Sequence, residues 1–262
     1  MGFPYRQVFE KAEESLLAYG EKRMPIDELR KQLDEFKTFE QRKLSDGDYF
    51  STLVSIAFYS GFKAATVTAK MPVIQGHFPD YTTVAAYTEH DIARILRDPS
   101  MIRHPGKIEG CVNNARSFAA IVQKHGSFRR YIDSFEPRSS AQNLMRLKRE
   151  LQRRFDYLGE ITAYHFMTDI GLPVLKPDRV VSRILYRLGA TRTEHDLEET
   201  VSQGKKFAEA TGLPIRYIDI VFVAYGQAQS LEFGIDRGIC LKEPRCGVCG
   251  LTEYCRYFQR RR

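Results

Sequence analysis

Apolar residues recur at three- and four-residue spacing along most of this chain, the signature of amphipathic helices. The pattern predicts helices over Val8–Ala18, Ile26–Phe36, Tyr49–Phe58, Phe62–Val73, Ile108–Val122, Leu144–Phe155, Ile161–Ile170, Val180–Leu188 and Ile215–Tyr225. Short Gly, Pro, Asp and Ser punctuation separates them, as in Ser45-Asp46-Gly47-Asp48, Glu136-Pro137-Arg138-Ser139 and Gly171-Leu172-Pro173. No run of alternating strand character, internal repeat or low-complexity tract interrupts the series. The expectation is an all-α protein.

Composition narrows the class. Across 262 residues, 43% are apolar, which is ample for a core. No stretch reaches the roughly 18 consecutive apolar residues of a spanning helix. The N-terminal stretch MGFPYRQVFEKAEESLL is too charged for a secretory signal. An intracellular, cytoplasmic protein with no membrane partner is therefore expected. A net charge of +7 and a pI near 9.1 suit a partner rich in phosphate, although many basic proteins bind no nucleic acid. The basic tail Arg256–Arg262 reads equally as a solvated terminus or as a contact to such a partner.

Candidate chemistry concentrates at the C-terminal end. Four of five cysteines fall in the order Cys240-x5-Cys246-x2-Cys249-x5-Cys255. Structural zinc sites usually set two close ligand pairs a dozen or more residues apart, whereas here one close pair is flanked by two singles. A short loop carrying four thiolates suits a [4Fe-4S] cluster; zinc is the second choice and four unligated thiols the third. The fifth cysteine, Cys111, lies in an amphipathic segment, so a disulfide framework is not the reading.

A second informative stretch runs from Phe155 to Gly171, where a Gly-containing turn joins the basic helix LMRLKRELQRRF to another helix. Such a hairpin aims backbone N–H groups at a helix N-terminus, a ready phosphate site; two packed helices with a glycine turn are the plainer alternative. Asp178 follows, at the expected N-cap of a helix that ends at Gly189.

Helix, hairpin, helix, an aspartate at the next helix start and four C-terminal cysteines together resemble the helix-hairpin-helix DNA glycosylases of the endonuclease III type, with a C-terminal iron–sulfur cluster. In that family the hairpin reads roughly LPGVGxxTA and the aspartate opens a D-x-x-x-x-R segment. Phe155–Gly159, Thr162-Ala163 and Asp178 with Arg183 stand at those positions. The middle of the chain, Met101–Phe118 with Gly126-Ser127-Phe128 and Ser134-Phe135, is similar to the 3-methyladenine DNA glycosylase I branch, as is the hairpin with Tyr164-His165-Phe166-Met167. The combined resemblance spans residues 44 to 255.

The resemblance implies a two-lobed architecture. Residues 44–172 would form a six-helix barrel lobe that includes the helix-hairpin-helix at about 145–171. Residues 1–43 with 173–239 would form a second lobe, and 240–262 the cluster loop and tail. It further implies a monomer acting on double-stranded DNA that contains a damaged base. The base, an alkylated purine such as 3-methyladenine, would be flipped out and its N-glycosidic bond hydrolysed. Asp178 would stabilise the sugar cation and activate water. Uracil, hypoxanthine or an oxidised base are alternative substrates, and a non-catalytic lesion-binding module is an alternative class. The hairpin residues Tyr157, Gly159, Ile161 and Thr162, the loop residues Arg103 and Lys107, the wedge loop with Ser60 and Phe62, and Lys242 and Arg245 of the cysteine loop are the expected DNA contacts. Cofactors would be the [4Fe-4S] cluster on Cys240, Cys246, Cys249 and Cys255, and a monovalent cation at the hairpin.

The departures are specific. Tyr157 replaces the first hairpin glycine. Ile161 stands where bifunctional members carry a lysine nucleophile, so no lyase step is expected. The first cysteine gap is five residues rather than six. The methyladenine branch's recognition glutamate falls near Ile56, its zinc site does not map, and it lacks the aspartate found here at 178. His165, Asn113, Asn114 and Tyr164 read as packing residues before pocket residues.

Overall fold

The computed structural model describes residues 2–261. Among them, every regular element is helical, and the sole strand-like pairing is an isolated antiparallel bridge between Ser230 and Ile235. The all-α expectation holds. Among the described residues, no helix is long and apolar enough to cross a membrane.

The chain forms two compact units: Lys43–Leu172, continuous in sequence, and Met1–Arg42 together with Pro173–Arg262. In the continuous unit the helices are α3 (Asp46–Tyr59), α4 (Ala64–His77), α5 (Tyr81–Ala85), α6 (Glu89–Arg97), α7 (Pro105–His125), α8 (Phe128–Asp133), α9 (Ala141–Arg154) and α10 (Glu160–Asp169). The longest, α7, packs against α3, α5, α6 and α8. It begins with His104, whose Nδ1 accepts the Lys107 amide at 3.3 Å, and ends at Gly126, held in the left-handed region at φ 81°.

An aromatic cluster centres on Phe128. Its ring stacks on Phe118 at 4.4 Å and meets Tyr49, Phe155 and Phe166. Phe155 opens the hairpin turn and Phe166 belongs to α10, so one fully buried ring, worth roughly 2–3 kcal/mol in burial alone, anchors both sides of the hairpin.

The other unit contains α1 (Tyr5–Gly20), α2 (Ile26–Asp34), α11 (Arg179–Leu188), α12 (Leu197–Thr211), α13 (Ile215–Gly226) and the short α14 (Arg256–Gln259). The apolar stripe Val8, Phe9, Ala12 and Leu16 of α1 packs with Phe207 of α12 and Phe222 of α13 in one core. Both ends of the sequence therefore build this unit. The cysteine loop, largely without regular structure, follows α13 and packs its Cys240, Cys249 and Cys255 against the same core.

Candidate functional site

The hairpin is held from inside. Tyr157 takes a left-handed conformation, φ 67°, in the place where the resembled motif has glycine. Thr162 Oγ1 ties the turn by accepting the Gly159 amide at 2.7 Å and donating to the Tyr157 carbonyl at 2.6 Å. Asn114 clamps Asp156 from α7: its amide donates to the Asp156 carbonyl at 3.0 Å and accepts the Asp156 N–H at 2.7 Å. Asn113 adds a bond to the Asp156 carboxylate at 3.1 Å. The two asparagines thus fasten the hairpin to α7.

This arrangement corrects the expected phosphate contact in detail. The Gly159 N–H is already given to Thr162. The first-turn amides of Glu160 and Ile161 form no loop or cap bond among the described residues, and Ile161 is exposed beside them. The Glu160 carboxylate also lies on this turn, where Lys148 and Gln152 bind it. Any anion docking here meets the amides of 160 and 161 and a carboxylate that Lys148 neutralises.

Lys107 departs furthest from expectation. It is only 3% exposed, and its ammonium donates to the carbonyls of Ala57 and Ser60. The Phe62 ring lies 5.2 Å from the ammonium and the Tyr157 ring 4.4 Å. Burial lowers its pKa below the usual lysine value. Lys107 is an internal tie joining the α3–α4 loop, α7 and the hairpin, and its burial keeps the ammonium from the surface where a phosphate would dock. Tyr157 fits because α7 carries glycines beneath it: a Cβ on Gly110 would come within 2.7 Å of the Tyr157 ring, and one on Gly106 within 3.0 Å of its hydroxyl. Arg103 is exposed, as expected of a contact residue, and Phe62 is partly exposed next to Gly61, itself at φ 77°. Ile56, at 1% exposure, is core. Tyr164 is buried too, its hydroxyl on Met145 Sδ at 3.2 Å, and His165 pairs with Asp169 at 3.1 Å.

Asp178 is the N-cap of α11. Its Oδ1 accepts the amides of Val180 at 2.8 Å and Val181 at 3.0 Å, while Oδ2 lies 3.4 Å from the Lys176 ammonium. Capping fixes one oxygen and the side-chain rotamer and leaves the other oxygen paired with the Lys176 ammonium. Behind it stands Asp219, 1% exposed, which accepts the Lys176 amide at 3.2 Å and pairs with Arg216 at 2.6 Å. Burial raises the Asp219 pKa, against the pull of Arg216 and Lys176. The pair Lys176 and Asp219 escaped the sequence reading. The available signal was one carboxylate inside the apolar helix IRYIDIVFVAYG.

The cysteine loop is tied to the same unit by two arginines of α11. Arg183 donates to the carbonyls of Cys240 and Gly226. Arg187, 8% exposed, donates to Cys240 Sγ at 3.4 Å and to the carbonyls of Leu241 and Lys242 at 2.5 and 2.7 Å. Its own carbonyl accepts from Cys255 Sγ at 3.5 Å, and the Tyr225 hydroxyl donates to Cys249 Sγ at 3.1 Å. All four thiols are free of disulfides. Among the described residues, no three His, Cys, Asp or Glu side chains stand close enough to share a single metal ion. The donor set, four partly buried cysteines with hydrogen-bond donors on two of their sulfurs, fits a thiolate-held cluster. Lys242 is exposed, whereas the Arg245 guanidinium is taken by the Tyr19 hydroxyl at 2.6 Å and the Arg237 carbonyl at 2.9 Å. Arg245 therefore shapes the loop through its Nη1.

The helical scaffold has counterparts among solved structures. The 8-oxoguanine DNA glycosylase of Thermotoga maritima superposes with a TM-score of 0.55 over 82% of this chain and 96% of that one, at 17% identity. That of Methanocaldococcus jannaschii gives 0.55 over 83% and 92%, at 18% identity. The fold is that of the helix-hairpin-helix DNA glycosylases. A family model described as methyladenine glycosylase matches residues 39–176, and the chain belongs to that family. Among its relatives, DNA-3-methyladenine glycosylase 1 of Escherichia coli is 30% identical over 111 residues, covering 37% of this chain and 59% of that protein. The Haemophilus influenzae DNA-3-methyladenine glycosylase is 29% identical, covering 37% and 60%. The matched region spans about three fifths of the length of these relatives, and the family-model match stops short of Asp178 and the cysteine loop.

Proposed function

We propose that this protein is a monofunctional DNA glycosylase that removes an alkylated purine, of which 3-methyladenine is the first candidate. The observation that carries the activity is the family match across residues 39–176, which contains the whole hairpin. The names of the E. coli and H. influenzae relatives support 3-methyladenine as the base. Base excision builds positive charge on the deoxyribose as the base departs. Asp178 suits that moment: two helix amides fix its Oδ1, and Oδ2 is left to face the cation or to orient water. Lys176, on the same carboxylate, and buried Asp219 position it. Ile161 supplies no amine at the lyase position.

Residues Cys240, Cys246, Cys249 and Cys255 would hold a [4Fe-4S] cluster, which would supply structural cross-linking within the loop, beside the bonds by which Arg187 ties Cys240 and Cys255 to α11. The free first-turn amides of α10 are the proposed phosphate seat, with exposed Arg103 and Lys242 as further DNA contacts and Phe62 as the wedge. The turn carbonyls of the hairpin are the place for a monovalent cation. Action as a monomer inside the cell completes the reading.

The test is base release from a panel of duplexes carrying alkylated, deaminated or oxidised bases. Wild-type protein should release an alkylated purine, and Asp178→Asn should lose release by a factor of about 10² or more while still binding the duplex. Unchanged turnover in Asp178→Asn removes the aspartate from the mechanism. A covalent adduct trapped by borohydride during the reaction would refute the monofunctional assignment.

A further inference from the structure

A second basic feature lies away from Asp178, in the wall of the cysteine loop. The end of α11, the turn after it and the C-terminal segment enclose a hollow of about 740 Å³, the size of a small-molecule site. Five arginines line it, and no aspartate or glutamate does. Arg187 forms part of the floor and is fixed by the carbonyls of Leu241 and Lys242. Tyr257 is gripped on its faces and edge, with the Arg187 guanidinium 4.5 Å and the Arg261 guanidinium 5.2 Å from its centre and its hydroxyl bonded to Arg261 at 2.8 Å.

The remaining charge is not neutralised. Arg192 pairs with Glu199 at 3.4 Å, but Arg256 and Arg260 have no ion pair among the described residues. Arg256 is backed by Gly189, where a Cβ would come within 2.3 Å of the arginine Cδ. Thr191 adds a polar side chain to the lining. It is 5% exposed, and its Oγ1 has no hydrogen-bond partner among the described residues. Tyr186, at the edge, is 39% exposed and presents an unpaired aromatic ring.

We propose that this hollow holds one nucleotide unit, its phosphate between Arg256 and Arg260 and its base against Tyr186. Unpaired guanidiniums match phosphate oxygens through parallel N–H bonds. A neighbouring aromatic face selects a phosphate that carries a base over a bare one. The nucleotide comes either from a nucleic-acid strand or from the free pool. The strand is the source that the proposed glycosylase activity favours, and to that extent this assignment rests on the previous one.

The two are separable because the test uses DNA without a lesion. Binding of fluorescein-labelled decathymidylate is followed by anisotropy across a sodium chloride series, with inorganic phosphate and thymidine 5′-monophosphate as competitors. The double variant Arg256→Gln/Arg260→Gln should flatten the salt dependence, lowering the slope of log affinity against log salt by about 0.7 for the one phosphate no longer neutralised. Tyr186→Ala should weaken binding roughly fivefold or more with the slope unchanged. Circular dichroism melts show whether either variant is misfolded, and Arg260→Gln alone, on an exposed terminal residue, is the fallback for the double variant. Displacement of the strand by thymidine 5′-monophosphate, with inorganic phosphate far weaker, assigns the nucleotide specificity. Monophosphate binding that both variants lose, in a protein that does not bind decathymidylate, assigns the free pool as the source. Wild-type affinity and slope in all the variants overturn the proposal, whatever the outcome of the base-release panel.

Discussion

At the scale of single residues, the most informative position is Tyr157, because its neighbours are arranged around it. A tyrosine in the left-handed region costs about 1 kcal/mol relative to glycine, and its ring recovers that cost against Gly106, Gly110 and the Lys107 ammonium. The position is coupled, so Gly110→Ala should destabilise the protein by about 1–3 kcal/mol through overpacking. Tyr157→Gly should remove most of that penalty, because the clashing ring is gone. Urea unfolding of the two single variants and the double variant measures the coupling, and strict additivity would show that the ring and the glycine do not meet. Lys107 explains why sequence reading failed here. A lysine beside a Pro-Gly turn ordinarily faces water, and only tertiary structure reveals two carbonyls and two rings closing over it.

At the scale of elements, caps and ion pairs on the continuous unit predict its response to acid. Asp80, the N-cap of α5, is held at about 2 chiefly by the Thr82 hydroxyl and the Thr83 amide. Asp98 is held at about 2 by Ser100 and then His77, and Glu150 at about 2 chiefly by Arg153, then Arg154, against burial. All three are harder to protonate folded than unfolded, so the stability they contribute is present above the ordinary carboxylate range and lost as pH falls toward 2. Thermal melts between pH 5 and 2 should show a steep fall that Glu150→Gln makes shallower; parallel curves for the variant and its parent would show that the Glu150 pairs contribute nothing.

The same scale shows what was legible. The hairpin and α11 were readable because periodic apolar faces end at Gly159 and Gly189 and begin at an aspartate. Helices α5 and α8 are too short for a period to register, and α12 carries few apolar residues beyond Val201 and Phe207. Helix α6 was missed although Thr88 and Asp91 form a capping box. Asp178 announced itself as a cap, but its companions Lys176 and Asp219 come together only through folding of residues 43 positions apart.

At the scale of the whole molecule, the cysteine loop is fastened to one unit alone. Arg187, Arg183 and Tyr225 link it to α11 and α13, all within Met1–Arg42 and Pro173–Arg262. If the proposed cluster assembles there, anaerobic reconstitution with iron and sulfide should yield a brown protein. Removing the iron should then speed amide exchange in α11 and α13 and leave α7 and α9 unchanged. Uniform exchange with and without iron would mean that the loop is no staple. The discontinuity of this unit has a further consequence, for synthesis. The stretch Lys43–Leu172 can close as soon as it leaves the ribosome, while the apolar stripe of α1 must wait for roughly fifty more residues before its partners α12 and α13 both exist. At ordinary elongation rates that interval is a matter of seconds. During it Val8, Phe9 and Leu16 stay open to chaperones, and the segment with the four cysteines, which follows α13, can pack on that core only afterwards.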